Sequence, residues 1–157
     1  MQVITQNVDN LHERAGSTHI LHLHGELTKL RSSDDPSLVV PFGGIEQGFD
    51  DTAPDGSLLR PHIVFFGEPV PEFGRASALA AEADIFVVIG TSLAVYPAAS
   101  LVRCVRPEIP VYVVDPGRPA IQGIRNPLEV IRKCAGEGVP ELADRLREIY
   151  AEHPVHA

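Results

Sequence analysis

The stretch Ile85-Phe86-Val87-Val88-Ile89-Gly90-Thr91-Ser92 decides the fold. It is apolar at every position from Ile85 to Ile89, then breaks into a glycine and two hydroxyl side chains. Such a run, too short for a helix, reads as a strand covered on both faces, as in a parallel sheet packed between helices. Val111-Tyr112-Val113-Val114-Asp115 repeats the pattern and ends in an acid. Open α/β sheets bind nucleotides at the carboxyl ends of such strands, where a glycine admits the ligand and an acid takes the ribose hydroxyls. Each ending also has a plainer reading. Gly90-Thr91-Ser92 can be a tight turn capped by hydroxyls, and Asp115 can cap the turn marked by Pro116-Gly117.

Outward from this core, Val3–Thr5, Ile20–Leu23, Ile63–Phe66 and, more weakly, Val130–Ile131 read as further strands. Phe73–Ala83, Ala98–Val105 and Pro140–Ala151 read as helices, the last with Leu142, Leu146 and Ile149 at helical spacing. Strands alternating with helices predict an α/β fold built on a parallel sheet. Thr28–Leu59 breaks the rhythm: Ser32-Ser33-Asp34-Asp35-Pro36, Gly43-Gly44 and the Asp50–Gly56 run are turn-rich. We expect a small irregular lobe there, inserted between residues 1–27 and 60–157 of the main domain.

The 157 residues suffice for one ordinary domain, with 44% apolar and 22% charged side chains, as in globular proteins. Thirteen basic residues against 21 acidic ones leave a net charge of −8, which argues against nucleic acid as a partner. The longest apolar stretch, Ile85–Ile89, falls far short of the ~20 residues of a membrane span. The opening Met1-Gln2-Val3-Ile4 lacks the features of a signal peptide, so a cytoplasmic location is expected. Two cysteines, Cys104 and Cys134, cannot build a four-cysteine zinc site.

Three further segments carry reactive side chains. Thr5-Gln6-Asn7-Val8-Asp9-Asn10 crowds polar groups behind a strand, where they can hold a polar ligand or cap a short helix over Leu11–Ala15. His22 and His24 flank Leu23 on a strand and point to one face. They can be metal ligands, with His12 or His19 as a third, or supply one general base, or be bystanders. As a base His24 is better placed, because Gly25 marks the strand's end. Arg60-Pro61-His62-Ile63-Val64-Phe65-Phe66-Gly67-Glu68 reads as a strand that either offers an edge to an extended peptide or is an edge protected by Pro61.

In order and wording these segments resemble the sirtuins, NAD-dependent protein-lysine deacylases. The match runs through Thr5–His12, Leu23-His24-Gly25-Glu26-Leu27, Arg60–Glu68, Gly90–Ala99 and Val139-Pro140-Glu141-Leu142. The resemblance implies a Rossmann-like domain, with NAD as co-substrate and an acyl-lysine protein or peptide as partner. It makes His24 the general base and puts Asn7 at the reacting centre. It places Gln6, Asn7, Val8 and Asp9 around the nicotinamide and its ribose, and Gly90, Thr91, Ser92, Asp115 and Ala135 along the rest of the dinucleotide. Val64, Phe66, Gly67, Glu68 and Val95 would grip the substrate.

The implied reaction has the acyl oxygen attack the nicotinamide ribose as nicotinamide leaves, after which His24 removes a proton from a ribose hydroxyl. Two departures from the family pattern stand out. Thr28–Leu59 holds no cysteine, so the chain looks like the zinc-free bacterial subset and no zinc is expected. The strand and Gly-Ala-Gly loop with which sirtuins begin are not in this sequence, so the sheet is expected to be partial and turnover impaired. A non-catalytic peptide-binding or regulatory role is the alternative.

Overall fold

A computed structural model describes residues 1–152. The chain divides into two compact units, Met1–Ala76 and Ser77–Ala157, with the boundary inside a helix.

The first unit opens with strand β1 (Val3–Thr5), helix α1 (Leu11–Arg14) and strand β2 (Ile20–His22). β1 and β2 pair in parallel, Ile4 beside Leu21, with α1 in the crossover between them. Three more strands follow: β3 (Gly25–Ser32), β4 (Val39–Pro41) and β5 (Leu59–Ile63). They form an antiparallel sheet in the order β4-β3-β5. Residues 28–59 are therefore more regular than their turn-rich sequence predicts. Most of β3 and all of β4 lie within them, and their order comes from ladder bonds that a periodicity scan does not see.

A buried serine ties the loops of this region together. Ser32 is 1% exposed. Its hydroxyl donates to Asp55 Oδ2 at 2.8 Å and accepts from the Asp34 and Asp35 amides at 3.0 and 2.8 Å. Asp55 in turn accepts from the Ser57 amide and hydroxyl. The apolar core of the unit includes Leu21, Leu23 and Leu30.

The second unit holds the expected parallel sheet. β6 (Phe86–Ile89), β7 (Val111–Val114) and β8 (Leu128–Ile131) run parallel with β7 in the middle. Side-chain alternation sends Val111 and Val113 into one cluster with Val88, Leu93, Val102 and Ile109. It sends Val114 to the opposite face, against Ile131 and Leu142. The expectation of two covered faces therefore holds for β7. It fails for β6, an edge strand, where Ile89 is 45% exposed.

Helix α2 (Phe73–Ala81) starts where expected and ends two residues before Ala83, whereas Ala98–Cys104 is a 3₁₀ rather than an α-helix. The Ser100 hydroxyl and amide both bond the Pro97 carbonyl, favouring the tighter winding. Helix α3 (Ala135–Glu152) begins before Pro140 and carries it inside. Its start is set by the Cys134 carbonyl, which accepts from the Glu137 and Gly138 amides. A Cβ on Gly138 would lie 2.6 Å from Val114 Cγ1, so only glycine lets α3 approach β7 this closely.

Candidate active site

The polar segment after β1 lies against the turn between β2 and β3, and its backbone carbonyls do the holding. The Thr5 carbonyl accepts from the Leu23 amide at 2.9 Å and the Val8 carbonyl from the Leu27 amide at 2.8 Å. Between them, the Gln6 carbonyl faces His24 Nδ1 at 3.1 Å and the Asn7 carbonyl faces His22 Nδ1 at 3.3 Å. From the other side, the His24 carbonyl accepts from the Val64 amide at 2.9 Å, just past the end of β5.

This arrangement assigns different work to the two histidines. A carbonyl oxygen only accepts, so His24 Nδ1 carries the hydrogen and a neutral ring keeps its lone pair on Nε2. That is the form of imidazole that removes protons. His22 Nε2 instead faces Glu13 Oε1 at 2.7 Å, so this ring is engaged at both nitrogens. The neighbouring His22 holds Glu13 below the usual carboxylate range, chiefly through that hydrogen bond.

Gly25 makes the placement of His24 possible. Its φ is +81°, and a Cβ there would sit 2.1 Å from the His62 carbonyl oxygen of the paired strand. Expected on a strand with His22, His24 instead stands in the turn after β2, because this left-handed glycine ends the strand's run. The pairing of His22 and His24 with His12 or His19 around a metal is not what the fold assembles. Among the described residues the group with metal-ligand geometry is Glu13, His22 and Glu26.

The other expected ligand residues of this unit lie along the same segment. Asn7 is exposed, while Gln6, Val8 and Asp9 are half-buried. Asp9 Oδ1 accepts from the Leu11 amide at 3.0 Å, which gives this acid the helix-start role that the sequence also allowed.

The strand expected over Ile63–Phe66 stops at Ile63, and Val64–Glu68 forms a turn. The cause is Glu68. Its carboxylate accepts from the Phe65 amide at 3.0 Å, pairs with Arg60 at 2.7 Å and reaches Arg31 at 3.4 Å. The Arg60 guanidinium also lies over the Phe65 ring, 5.0 Å from its centroid. With φ of +88° at Gly67, the chain reverses and leaves Phe66 99% exposed. Arg60 and its attendant bonds hold the Glu68 carboxyl below its ordinary range. The bracing roles of Arg31 and Arg60 escaped sequence reading, although Arg60 and Glu68 of opposite charge bracket the segment. Among the described residues β5 pairs only with β3, at the edge of its sheet, with Pro61 at its centre.

In the second unit, Gly90, Thr91, Ser92 and Asp115 all sit at the carboxyl ends of β6 and β7. Gly90 has φ +60° and no atom within 4 Å of an added Cβ, so its backbone is open to a ligand. Thr91 Oγ1 accepts from the Leu93 amide at 3.3 Å, and Asp115 Oδ1 accepts from the Gly117 amide at 2.7 Å. Both side chains thus also serve as the turn caps of the plainer reading. Ala135, exposed, begins α3 after β8, and Val95 is 43% exposed in the loop before the 3₁₀ helix. A mononucleotide-type site fits this donor set: an open glycine backbone, hydroxyls and an acid at adjacent parallel strand ends.

The chain is similar to known proteins in both sequence and fold. The sequence model of the Sir2 family matches residues 1–97. The NAD-dependent protein deacylase of Bacteroides thetaiotaomicron is 52% identical over 151 residues, covering 92% of this chain and 63% of the relative. That of Aggregatibacter actinomycetemcomitans is 57% identical over 116 residues, covering 74% of this chain and 55% of its own length. A solved Sir2 homologue in complex with NAD superposes with a TM-score of 0.82 at 35% identity, over 95% of this chain and 59% of that one. A Sir2–p53 peptide–NAD+ structure superposes with a TM-score of 0.70 at 30% identity, over 96% of this chain and 63% of that one. The chain spans 55–63% of the length of the two curated relatives named here.

Proposed function

The chain belongs to the Sir2 family, and from that premise we propose that it serves NAD-dependent removal of acyl groups from protein lysines. The observation that carries the reading is the His24 ring, held through Nδ1 by the Gln6 carbonyl with Nε2 left as base. Relatives 52–57% identical to the chain are named NAD-dependent protein deacylases, and solved relatives were captured with NAD and with a p53 peptide.

NAD would supply the chemistry by releasing nicotinamide and accepting the acyl group on its ADP-ribose. Gln6, Asn7, Val8 and Asp9 would hold its nicotinamide end, and Gly90, Thr91, Ser92, Asp115 and Ala135 the remainder. Asn7 and Asp9 present neutral and anionic groups, which suit a centre that becomes cation-like. His24 Nε2 takes a proton from a hydroxyl brought against it, and the Gln6 carbonyl stabilises the imidazolium through Nδ1–H. Val64, Phe66, Gly67 and Glu68, with Val95, would receive the acyl-lysine segment, and the Glu68-braced turn gives Phe66 a fixed exposed position.

No helix among the described residues is long and apolar enough to cross a membrane. A cytoplasmic location is proposed, and nucleic acid is not a proposed partner because of the net charge of −8.

The test is nicotinamide release from NAD by the chain in the presence of an acetyl-lysine peptide. Release that requires both compounds, with formation of deacylated peptide lost in His24→Ala, supports deacylation. Peptide binding without any dependence on NAD supports instead a peptide-binding module, for which the braced turn would suffice.

A further inference from the structure

Three side chains from three elements converge beside the His24 segment without belonging to it. Glu13 comes from α1, His22 from β2 and Glu26 from the start of β3. One ligand atom from each lies within 4.8 Å of the others. An imidazole anchors the set: the His22 side chain is only 8% exposed, while Glu13 and Glu26 are 41% and 24% exposed. The Asn7 carbonyl lies behind His22 Nδ1, the kind of partner that fixes the ring of a metal-bound histidine.

With Nδ1 facing the Asn7 carbonyl, His22 Nε2 faces Glu13 Oε1 at 2.7 Å, so imidazole and carboxylate present ligand atoms to one point. A second, independent feature adjoins the set. A cavity of about 290 Å³ is lined by His22, Glu26, Lys29, Arg31 and His62 among others. The buried Nδ1 of His62 has no hydrogen-bond partner. This polar space can take the waters that complete a cation's coordination shell.

We infer that Glu13, His22 and Glu26 form a site for an exchangeable divalent transition-metal ion. One imidazole and two carboxylates match ions of the zinc, cobalt and nickel class. Lys29 Nζ pairs with Glu26 Oε2 at 2.5 Å and is the cation that the metal displaces. Binding would crosslink α1 to β2 and β3. None of the three ligand residues is among those assigned to NAD or peptide.

The experiment takes the purified 157-residue chain, stripped with a chelator, and titrates ZnCl₂ calorimetrically and CoCl₂ by visible absorption. We expect saturable binding of a single ion, with a rise in melting temperature as the folded state is ligated. Glu13→Gln/Glu26→Gln should weaken binding at least ~10-fold and remove the melting shift. Lys29→Met, which removes the competitor, should tighten it. Circular dichroism of each variant checks that the fold is retained, and His22→Asn provides a further loss-of-site variant if the double variant is unfolded. Absence of binding, or binding that persists undiminished in a folded variant lacking these ligands, overturns the site. Unchanged affinity in Lys29→Met overturns the place of Glu26 in it.

Discussion

At the residue scale, the chemistry proposed here turns on which nitrogen of His24 carries the hydrogen. Its Nδ1 stands 3.1 Å from the Gln6 carbonyl, so the base is Nε2. Replacing His24 by Ala should lower the rate of deacylated-peptide formation by at least ~10²-fold, the usual weight of a positioned base. Glu68 gives the fold a pH dependence. Its carboxyl is held below the ordinary range by Arg60 and the Phe65 amide, so ionisation favours the folded turn. That contribution is complete above the unfolded carboxyl's range and is lost as pH falls through the lower folded value. Glu68→Gln should flatten this acid limb in a pH series of thermal melts and should raise the KM for peptide.

At the scale of elements, two positions hold the first unit's geometry. Gly25 combines φ +81° with a would-be Cβ 2.1 Å from the His62 carbonyl, whereas Gly16 has φ +88° and open space around it. Gly25→Ala should therefore cost more than the ~1 kcal/mol expected of Gly16→Ala, and should displace His24 as well. Urea unfolding of the two variants separates the shared backbone strain from the clash. Ser32→Ala leaves the Asp34 and Asp35 amides and the Asp55 carboxylate without their shared hydroxyl. A loss of about 1 kcal/mol in denaturant unfolding is expected, the net worth of hydrogen bonds whose partners water can reach. The elements also show how far local pattern reaches. β1 and β7 lie where their apolar runs place them, because every residue of those runs reports the strand directly. β3 and β4 were hidden in 28–59 because their regularity comes from antiparallel partners and a serine-centred knot. The strand expected over Ile63–Phe66 ends early for a related reason: Val64-Phe65-Phe66 is strand-like in composition, but Glu68 folds it into a turn.

At the scale of the whole molecule, two units each carry their own core. In the second, Leu142 of α3 is 2% exposed and packs with Val114 and Ile131. Leu142→Ala should cost about 2–5 kcal/mol in thermal or denaturant unfolding, the range for emptying a packed leucine site. The sequence alone determined the α/β class, the Sir2 motifs and the candidate residues, from His24 to Asp115. These follow from runs, turns and spacings within a few neighbours, where the physics is local. Only the tertiary structure decided which nitrogen of His24 is free, that Glu13, His22 and Glu26 meet, and that Arg31 and Arg60 brace Glu68. Those outcomes depend on groups well separated along the chain, 18 residues in the case of Gln6 and His24. Contacts of that kind form only when the fold has brought their strands together, so no local reading contains them.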